Sequence, residues 1–273
     1  MSLLEKTKFL LRRHRIFPKK RLGQNFMIES SILQSTVTYA SLGQDDVVLD
    51  VGAGLGFLTQ SLAAKCKRVL AVESDAKLVR ILYEQLENLS NVKIIHGDVL
   101  QTPISRFNKV VSIPPYSISS RLLLWLFSKK IDCAVLILQK EFVDRLIATV
   151  GSEHYGWLAV VAYYYVEVEL FDDVPRWMFY PQPEVDSIIV RLKPKRLHPF
   201  TLKNEVLFKQ FAQALFTHRN RKVRNAIEFF IQSARASNVE NALKIAESFP
   251  FRDKRVRELA PEDFGALFNG IVD

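Results

Sequence analysis

Residues 48 to 59, Val-Leu-Asp-Val-Gly-Ala-Gly-Leu-Gly-Phe-Leu-Thr, constrain the fold of this chain more than any other stretch. They predict a buried strand that breaks into a glycine-dense turn and restarts as a helix. Gly52, Gly54 and Gly56 lack a Cβ, so the backbone can turn sharply there and press against a ligand. The spacing is G-x-G-x-G, one residue tighter than the G-x-G-x-x-G run that cradles a dinucleotide pyrophosphate. Asp50, just before the turn, repels a phosphate and attracts an amino or sulfonium group. Together these features favour S-adenosylmethionine over NAD. Taken alone, the turn also fits a ligand-free α/β protein.

The next strands add to the pattern. Arg68 to Val72 is a short apolar run that ends on Glu73. An acid about 20 positions after such a turn holds a ribose diol in nucleotide-binding α/β folds. Val92 to Ile95 leads into His96-Gly97-Asp98-Val99, where Asp98 is placed to accept from an adenine amino group. Lys109 to Ser112 leads into Ile113-Pro114-Pro115-Tyr116. Open α/β sheets bind ligands beyond the carboxyl ends of their strands, which is where these groups fall. Any one of these carboxylates reads equally well as a solvated loop residue; the joint pattern does not.

At 273 residues and 48% hydrophobic, the chain can bury a large core and is long enough for two domains. The stretch 192 to 200, Leu-Lys-Pro-Lys-Arg-Leu-His-Pro-Phe, reads as a linker. It divides the chain into residues 1–195 and 196–273. Before it, strands and helices alternate as in an α/β sheet. Within that part, Gly156 to Val168 reads as a buried helix passing into a strand, and Val185 to Leu192 as a late antiparallel strand. After the linker, Val206, Leu207, Phe211, Ala214, Leu215, Ile227 and Phe230 recur at helical spacing. Pro261-Glu262-Asp263 opens a further helix, with proline in its first turn and acids favourable to its dipole.

The net charge is +9, and the isoelectric point near 9.5 implies a polyanionic partner. Lys6, Lys8, Arg12, Arg13, Arg15, Lys19, Lys20 and Arg21 crowd the N-terminal segment. Phe9, Leu10, Leu11, Ile16 and Phe17 interleave with them, so this segment is expected to dock on the body while presenting charge to RNA. A second cluster, His218 to Arg224, reads equally as an RNA contact or a solvated face. Two cysteines far apart, Cys66 and Cys133, make a disulfide framework improbable and point to a reducing compartment. No apolar run reaches the roughly 18 residues of a membrane span, and the five histidines show no metal-ligand spacing. The expectation is a soluble, cytoplasmic, metal-free protein.

Several motifs occur in a characteristic order: Gly23-Gln24-Asn25-Phe26-Met27, the Gly52 turn, Glu73, Gly97-Asp98, Pro114-Pro115-Tyr116, Leu138-Gln139-Lys140-Glu141, Phe179-Tyr-Pro-Gln-Pro-Glu-Val-Asp-Ser187, and Phe216 to Lys222. From about residue 18 to the C-terminus the chain resembles the ribosomal RNA adenine dimethyltransferases of the KsgA type. The glycine turn is shared with many methyltransferases; the Gln-Asn-Phe and Phe-x-Pro-x-Pro-x-Val-x-Ser segments are far more particular. The resemblance implies a Rossmann-like α/β methyltransferase sheet with a small C-terminal helical domain that helps grip ribosomal RNA. It implies S-adenosylmethionine as cofactor, held by Gln24, Asn25, the Met27 backbone, Asp50, Gly52, Gly54, Glu73, Ser74, Asp98 and Val99. It implies dimethylation of adenosine N6 in small-subunit ribosomal RNA or a pre-ribosomal particle, by a monomer. Ile113, Pro114, Pro115 and Tyr116 would form the catalytic turn. Phe179 is expected at a rim, sandwiching the target base with Tyr116.

One position departs from the family pattern. The family has asparagine where this chain has Ile113, and that amide oxygen would accept from the adenine N6 amino group. Losing one positioned transition-state partner costs about 10²–10³ in rate. Backbone carbonyls of the Ile113-Pro114 turn, or the hydroxyls of Ser112 or Ser117, are the candidate replacements. Three readings follow: an active RNA methyltransferase, a catalytically weakened or inactive family member acting as an rRNA-binding ribosome assembly factor, or a methyltransferase for a small molecule or protein. The two basic clusters have no purpose in the last, and a dehydrogenase fits the glycine spacing least.

Overall fold

The computed structural model describes residues 1–19, 23–234, 244 and 247–271; Lys20 and Arg21 of the basic N-terminal run lie outside these. Two compact units divide the chain, Met1–Lys140 with Val168–Pro194, and Glu141–Glu167 with Lys195–Asp273.

The first unit begins with α1 (Leu3–Arg13), β1 (Phe26–Met27), α2 (Ser30–Tyr39), β2 (Val47–Val51) and α3 (Phe57–Ala63). It continues through β3 (Arg68–Glu73), α4 (Ala76–Leu86), β4 (Val92–His96), β5 (Lys109–Ser112), α5 (Ser119–Leu126) and β6 (Cys133–Gln139). After α6 (Lys140–Leu146) and α7 (Trp157–Tyr165), the chain returns as β7 (Val166–Val174), β8 (Phe179–Tyr180) and β9 (Ser187–Pro194). The closing helices are α8 (Glu205–Phe216), α9 (Val223–Ala234) and α10 (Pro261–Ile271).

Seven strands form one sheet in the order β4-β3-β2-β5-β6-β9-β7. The first five pair in parallel, and β9 runs antiparallel to β6. Near-continuous apolar runs suit parallel strands covered on both faces; Val48 to Val51 and Cys133 to Leu138 are buried throughout. From β2 the chain winds outward through β3 and β4, then crosses to the other side of β2 as β5 and β6. The strand order therefore reverses between β2 and β5, which opens a crevice beyond their carboxyl ends. The glycine turn follows β2 and the Ile113–Tyr116 turn follows β5, so both face that crevice. A separate two-stranded ladder pairs Phe26 with Tyr180 and Met27 with Phe179.

In the second unit, Phe208, Phe211 and Leu215 of α8 pack with Ile227 of α9 and with Phe264, Leu267 and Phe268 of α10. A boundary at residue 195 would leave Glu141–Glu167 with the sheet; instead it packs with these helices. The reason lies in α7, which is apolar almost all round and so must be buried on several sides. Ala159 and Val160 of α7, with the preceding Tyr155, join the same core as Phe208 and Phe211.

Much of the second basic cluster is tied internally. Lys222 and Arg224 reach Asp253 at 3.0 and 3.5 Å, and Arg219 donates to the Glu153 carbonyl at 3.0 Å. Cys66 and Cys133 are both buried and free. Among the described residues, no helix is long and apolar enough to cross a membrane.

Candidate active site

The crevice is built from the glycine turn outward. Gly52, Gly54 and Gly56 adopt φ values of 73°, 59° and 83°, a region costly for residues with a Cβ. The N–H groups of Gly52 and Ala53 both donate to the Val72 carbonyl, at 2.8 and 3.1 Å. Gly54 N–H donates to Glu73 Oε2 at 3.0 Å, and Gly56 N–H to the Ala53 carbonyl at 2.9 Å. These four donors are consumed within the protein. A pyrophosphate needs such groups free, so the turn is ill suited to a dinucleotide. A Cβ added at Gly52 would stand 2.8 Å from Pro115 Cδ, so the two turns flanking the crevice touch there.

Acids line what the turn leaves open. Asp50 is 1% exposed at the end of β2, yet it forms part of the crevice wall with Asn25 and Met27. Burial pushes its carboxyl up to about 7; the Thr59 hydroxyl, donating at 2.7 Å, works against that shift, and the nearby Glu73 reinforces it. Glu73 accepts from the N–H groups of Gly54 and Asp75, at 3.0 and 2.9 Å. Burial raises its carboxyl, and those N–H groups pull it back. Its carboxylate, also bonded by the Ser74 N–H, keeps acceptor capacity for a hydroxyl. Ser74, Asp98 and Val99 line the far end with Ser117 and Arg121. Asp98 Oδ1 accepts from Leu100 N–H at 3.0 Å, which fixes the carboxylate.

Gln24 borders the crevice beside Glu73, but both ends of its amide are engaged. Its Nε2 donates to Asp75 at 3.1 Å and its Oε1 accepts from Lys19 N–H at 2.9 Å. All ten residues expected to hold a cofactor thus border one set of adjoining hollows around Gly52.

Ile113, Pro114, Pro115 and Tyr116 form the opposite wall. Two sequence expectations are corrected on this side. Ser112 cannot serve as an acceptor for a substrate: it is fully buried, its hydroxyl donating to the Val51 carbonyl at 2.6 Å and accepting from Val51 N–H at 3.1 Å. Phe179, expected at a rim, is 2% exposed. Its pairing opposite Met27 carries it into the core, while its neighbour Trp177 is 60% exposed. The rings of Phe179 and Tyr116 meet edge to face, with centroids 6.5 Å apart and planes at 75°, so no parallel slot stands open between them. The Tyr116 hydroxyl shares a 2.6 Å hydrogen bond with Ser187 Oγ, and burial pushes the phenol up to about 12.

The prolines decide what the Ile113 turn offers. Pro114 and Pro115 have no N–H, so this turn presents carbonyl oxygens and few donors. The Pro115 carbonyl accepts from Ile118 N–H at 3.1 Å. Among the described residues, no backbone N–H is bonded to the carbonyls of Ile113 or Pro114.

Residues 17–264 match the family described as ribosomal RNA adenine dimethylase. The chain belongs to that family. It is 36% identical over 252 residues to a probable ribosomal RNA small subunit methyltransferase A from Methanosarcina barkeri, covering 92% of this chain and 86% of that one. A ribosomal RNA small subunit methyltransferase A from a Geobacillus species is 34% identical, over 97% and 96% of the two chains. Among solved structures, a dimethyladenosine transferase from Plasmodium falciparum superposes with a TM-score of 0.74 at 25% identity, covering 89% of this chain and 95% of that one. The 23S rRNA methyltransferase ErmE superposes at 0.66, also at 25% identity, over 90% and 99%. The fold is therefore the Rossmann-like methyltransferase sheet with appended helices. A non-catalytic assembly factor draws no support from these relatives, each of them named as a transferase.

The structure adds residues to the site. Phe26, Phe57 and Leu78 form apolar wall, and Arg121 stands at the Asp98 end. Phe26 belongs to the Gln24-Asn25-Phe26 motif and Phe57 begins α3, so both were within reach of sequence reasoning. Arg121 carries no local signal; α5 alone brings it there.

Proposed function

We propose that this chain dimethylates N6 of adenosines in small-subunit ribosomal RNA, with S-adenosylmethionine as methyl donor. The observation that carries the reading is the buried Asp50 carboxylate, bordering a crevice whose remaining acids are Glu73 and Asp98. That donor set fits a cationic, hydroxyl-rich ligand with an adenine and no phosphates. Bound there, S-adenosylmethionine supplies an electrophilic methyl group on a sulfonium with a neutral leaving group.

The chain's residues do the rest. Asp50, Asn25 and the Met27 backbone hold the methionine end; Glu73 holds the ribose diol; Asp98 accepts from the adenine amino group, beside Ser74 and Val99. The acceptor's N6 lone pair is delocalised into its ring, and acceptors draw the amino group toward a tetrahedral geometry. The carbonyls of Ile113 and Pro114 fill that role in place of the family's asparagine amide. Chemistry on a nucleobase requires it to be unstacked, and Tyr116 in the crevice wall receives it, a stack worth about 1–3 kcal/mol, with Phe179 packed edge to face behind the tyrosine ring. Positioning and exclusion of water then supply most of the acceleration. The protein is taken to work as a cytoplasmic monomer on a pre-ribosomal particle.

Transfer of labelled methyl groups to immature small subunits tests the reaction, and calorimetry with the donor and its demethylated product tests the site. Absence of affinity for both small molecules refutes the reading.

A further inference from the structure

The helix α1 precedes the family match, which begins at residue 17. One side of it is fully used: Leu10 and Leu11, with Ile16 of the following turn, are 2%, 4% and 6% exposed in the core that also holds Met27 and Phe179. The other side carries Phe9, 52% exposed, with Arg12 and Arg13, and the chain beyond it carries Arg15 and Phe17, the latter 85% exposed. Since docking is done by other residues, neither phenylalanine is needed to hold the helix in place.

The turn that ends α1 is built at a cost. Ile16 N–H donates to the Leu11 carbonyl at 2.8 Å and Arg15 N–H to the Arg12 carbonyl at 3.1 Å, a pattern that puts Arg15 in the left-handed region at φ 51°. Glycine fills such a position at least strain, yet here it is an arginine. Arg13 makes a loose pair with Glu84 at 3.8 Å. Among the described residues, neither Arg12 nor Arg15 makes an ion pair within 4 Å, whereas Arg13 and His14 both reach Glu84.

The same helix reaches the crevice wall. Lys6 Nζ lies 5.2 Å from the centre of the Phe57 ring, and Lys8 Nζ lies 5.4 Å from that of Tyr180, next to Phe179. Arginines interleaved with exposed aromatic rings, on a helix whose Lys6 lies against Phe57 of the crevice wall, match a strand that offers both phosphates and stackable bases. A membrane-surface helix would need its apolar side free, and that side is buried.

We infer that the exposed face of α1 and the turn through Phe17 form an RNA contact of their own, gripping the strand that flanks the methylated adenosine. This rests on the function proposed above. Arg12 and Arg15 take phosphates, and Phe17 stacks on a base.

The test titrates binding of an unmodified small-subunit ribosomal RNA transcript against salt, for the full chain and for Arg15→Gly, Arg12→Gln/Arg15→Gly and Phe17→Ala. Each lost phosphate contact lowers the salt slope by about 0.7–0.9, so the double variant should lose about 1.4–1.8 and bind at least about tenfold more weakly at low salt. Phe17→Ala should weaken binding with the slope unchanged. Donor affinity should stay at the wild-type value in all three, and Arg15→Gly should melt no lower than wild type, because glycine relieves the turn. Wild-type RNA affinity and slope in the double variant overturn the inference and leave the methyltransferase reading standing. Failure of the wild-type chain to bind the donor overturns that reading instead.

Discussion

On the proposed assignment of Asp50 to the cofactor's cationic end, its protonation should couple cofactor binding to pH, and the size of the effect follows from its environment. With its carboxyl near 7 in the free protein, the group is about 10% ionised at pH 6 and about 90% at pH 8. A donor carrying an ammonium and a sulfonium selects the ionised form, so binding below pH 7 must release a proton. Affinity for S-adenosylmethionine should then rise about tenfold from pH 6 to pH 8, or roughly 1.4 kcal/mol, and level off above. Stability of the free protein runs the other way. The folded carboxyl sits above its unfolded value of 3.8, so the fold binds the extra proton and its stability falls as pH climbs from about 4 to 7. Asp50→Asn keeps an acceptor for the Thr59 hydroxyl and removes the charge. It should stabilise the free protein at pH 8, abolish the pH dependence, and weaken donor binding by about 1.5–3 kcal/mol, the range for a hydrogen bond to a charged group. Calorimetry in two buffers of different ionisation enthalpy counts the released proton directly. Affinity flat between pH 6 and 8, or an asparagine variant that binds as wild type does, refutes the assignment of Asp50 to the cationic end.

Other consequences can be measured alongside. Gly52→Ala places a Cβ against Pro115 at a positive φ; it should destabilise the fold by about 1–3 kcal/mol and depress kcat/KM, and wild-type values of both would show that the turns do not meet as described. Ile113→Asn should change kcat by less than about tenfold, because the turn's carbonyls already serve N6; a rise of about 10² or more, the usual worth of a positioned partner, would show that they do not. Ser187→Ala strands the half-buried Tyr116 hydroxyl and should cost about 1–3 kcal/mol in denaturant unfolding; a neutral result would mean that water replaces the serine.

Parallel strands β2 to β5 were legible because each is a short apolar run closed by a polar tip, and their starts and ends fall within a residue or so of those read from the sequence; β6 (Cys133–Gln139), a longer apolar run, was not read as a strand. The helix-to-strand passage through α7 and β7 and the late antiparallel strand β9 were legible for similar reasons. What escaped was set by contacts between distant segments. Residues 141–167 pack with the C-terminal helices because α7 is apolar all round, and apolarity does not say which core a helix joins. Phe179 was read as a rim residue from its proline-rich neighbours, yet its exposure depends on pairing with a strand some 150 positions earlier. Ser112 looked available until the register of β2 and β5 set its hydroxyl against Val51. The ten crevice residues, by contrast, were found together because each ends a strand or belongs to a short motif, which is information carried locally.

The short ladder joining residues 26–27 to 179–180 makes one mechanical part out of two remote pieces of sequence. Met27 borders the hollow beside Asp50, and its register partner Phe179 packs edge to face on Tyr116 in the opposite wall. The clasp thus ties the floor of one hollow to the packing of the opposite wall, and a substitution at either end is felt at the other, although more than a hundred residues separate them along the chain.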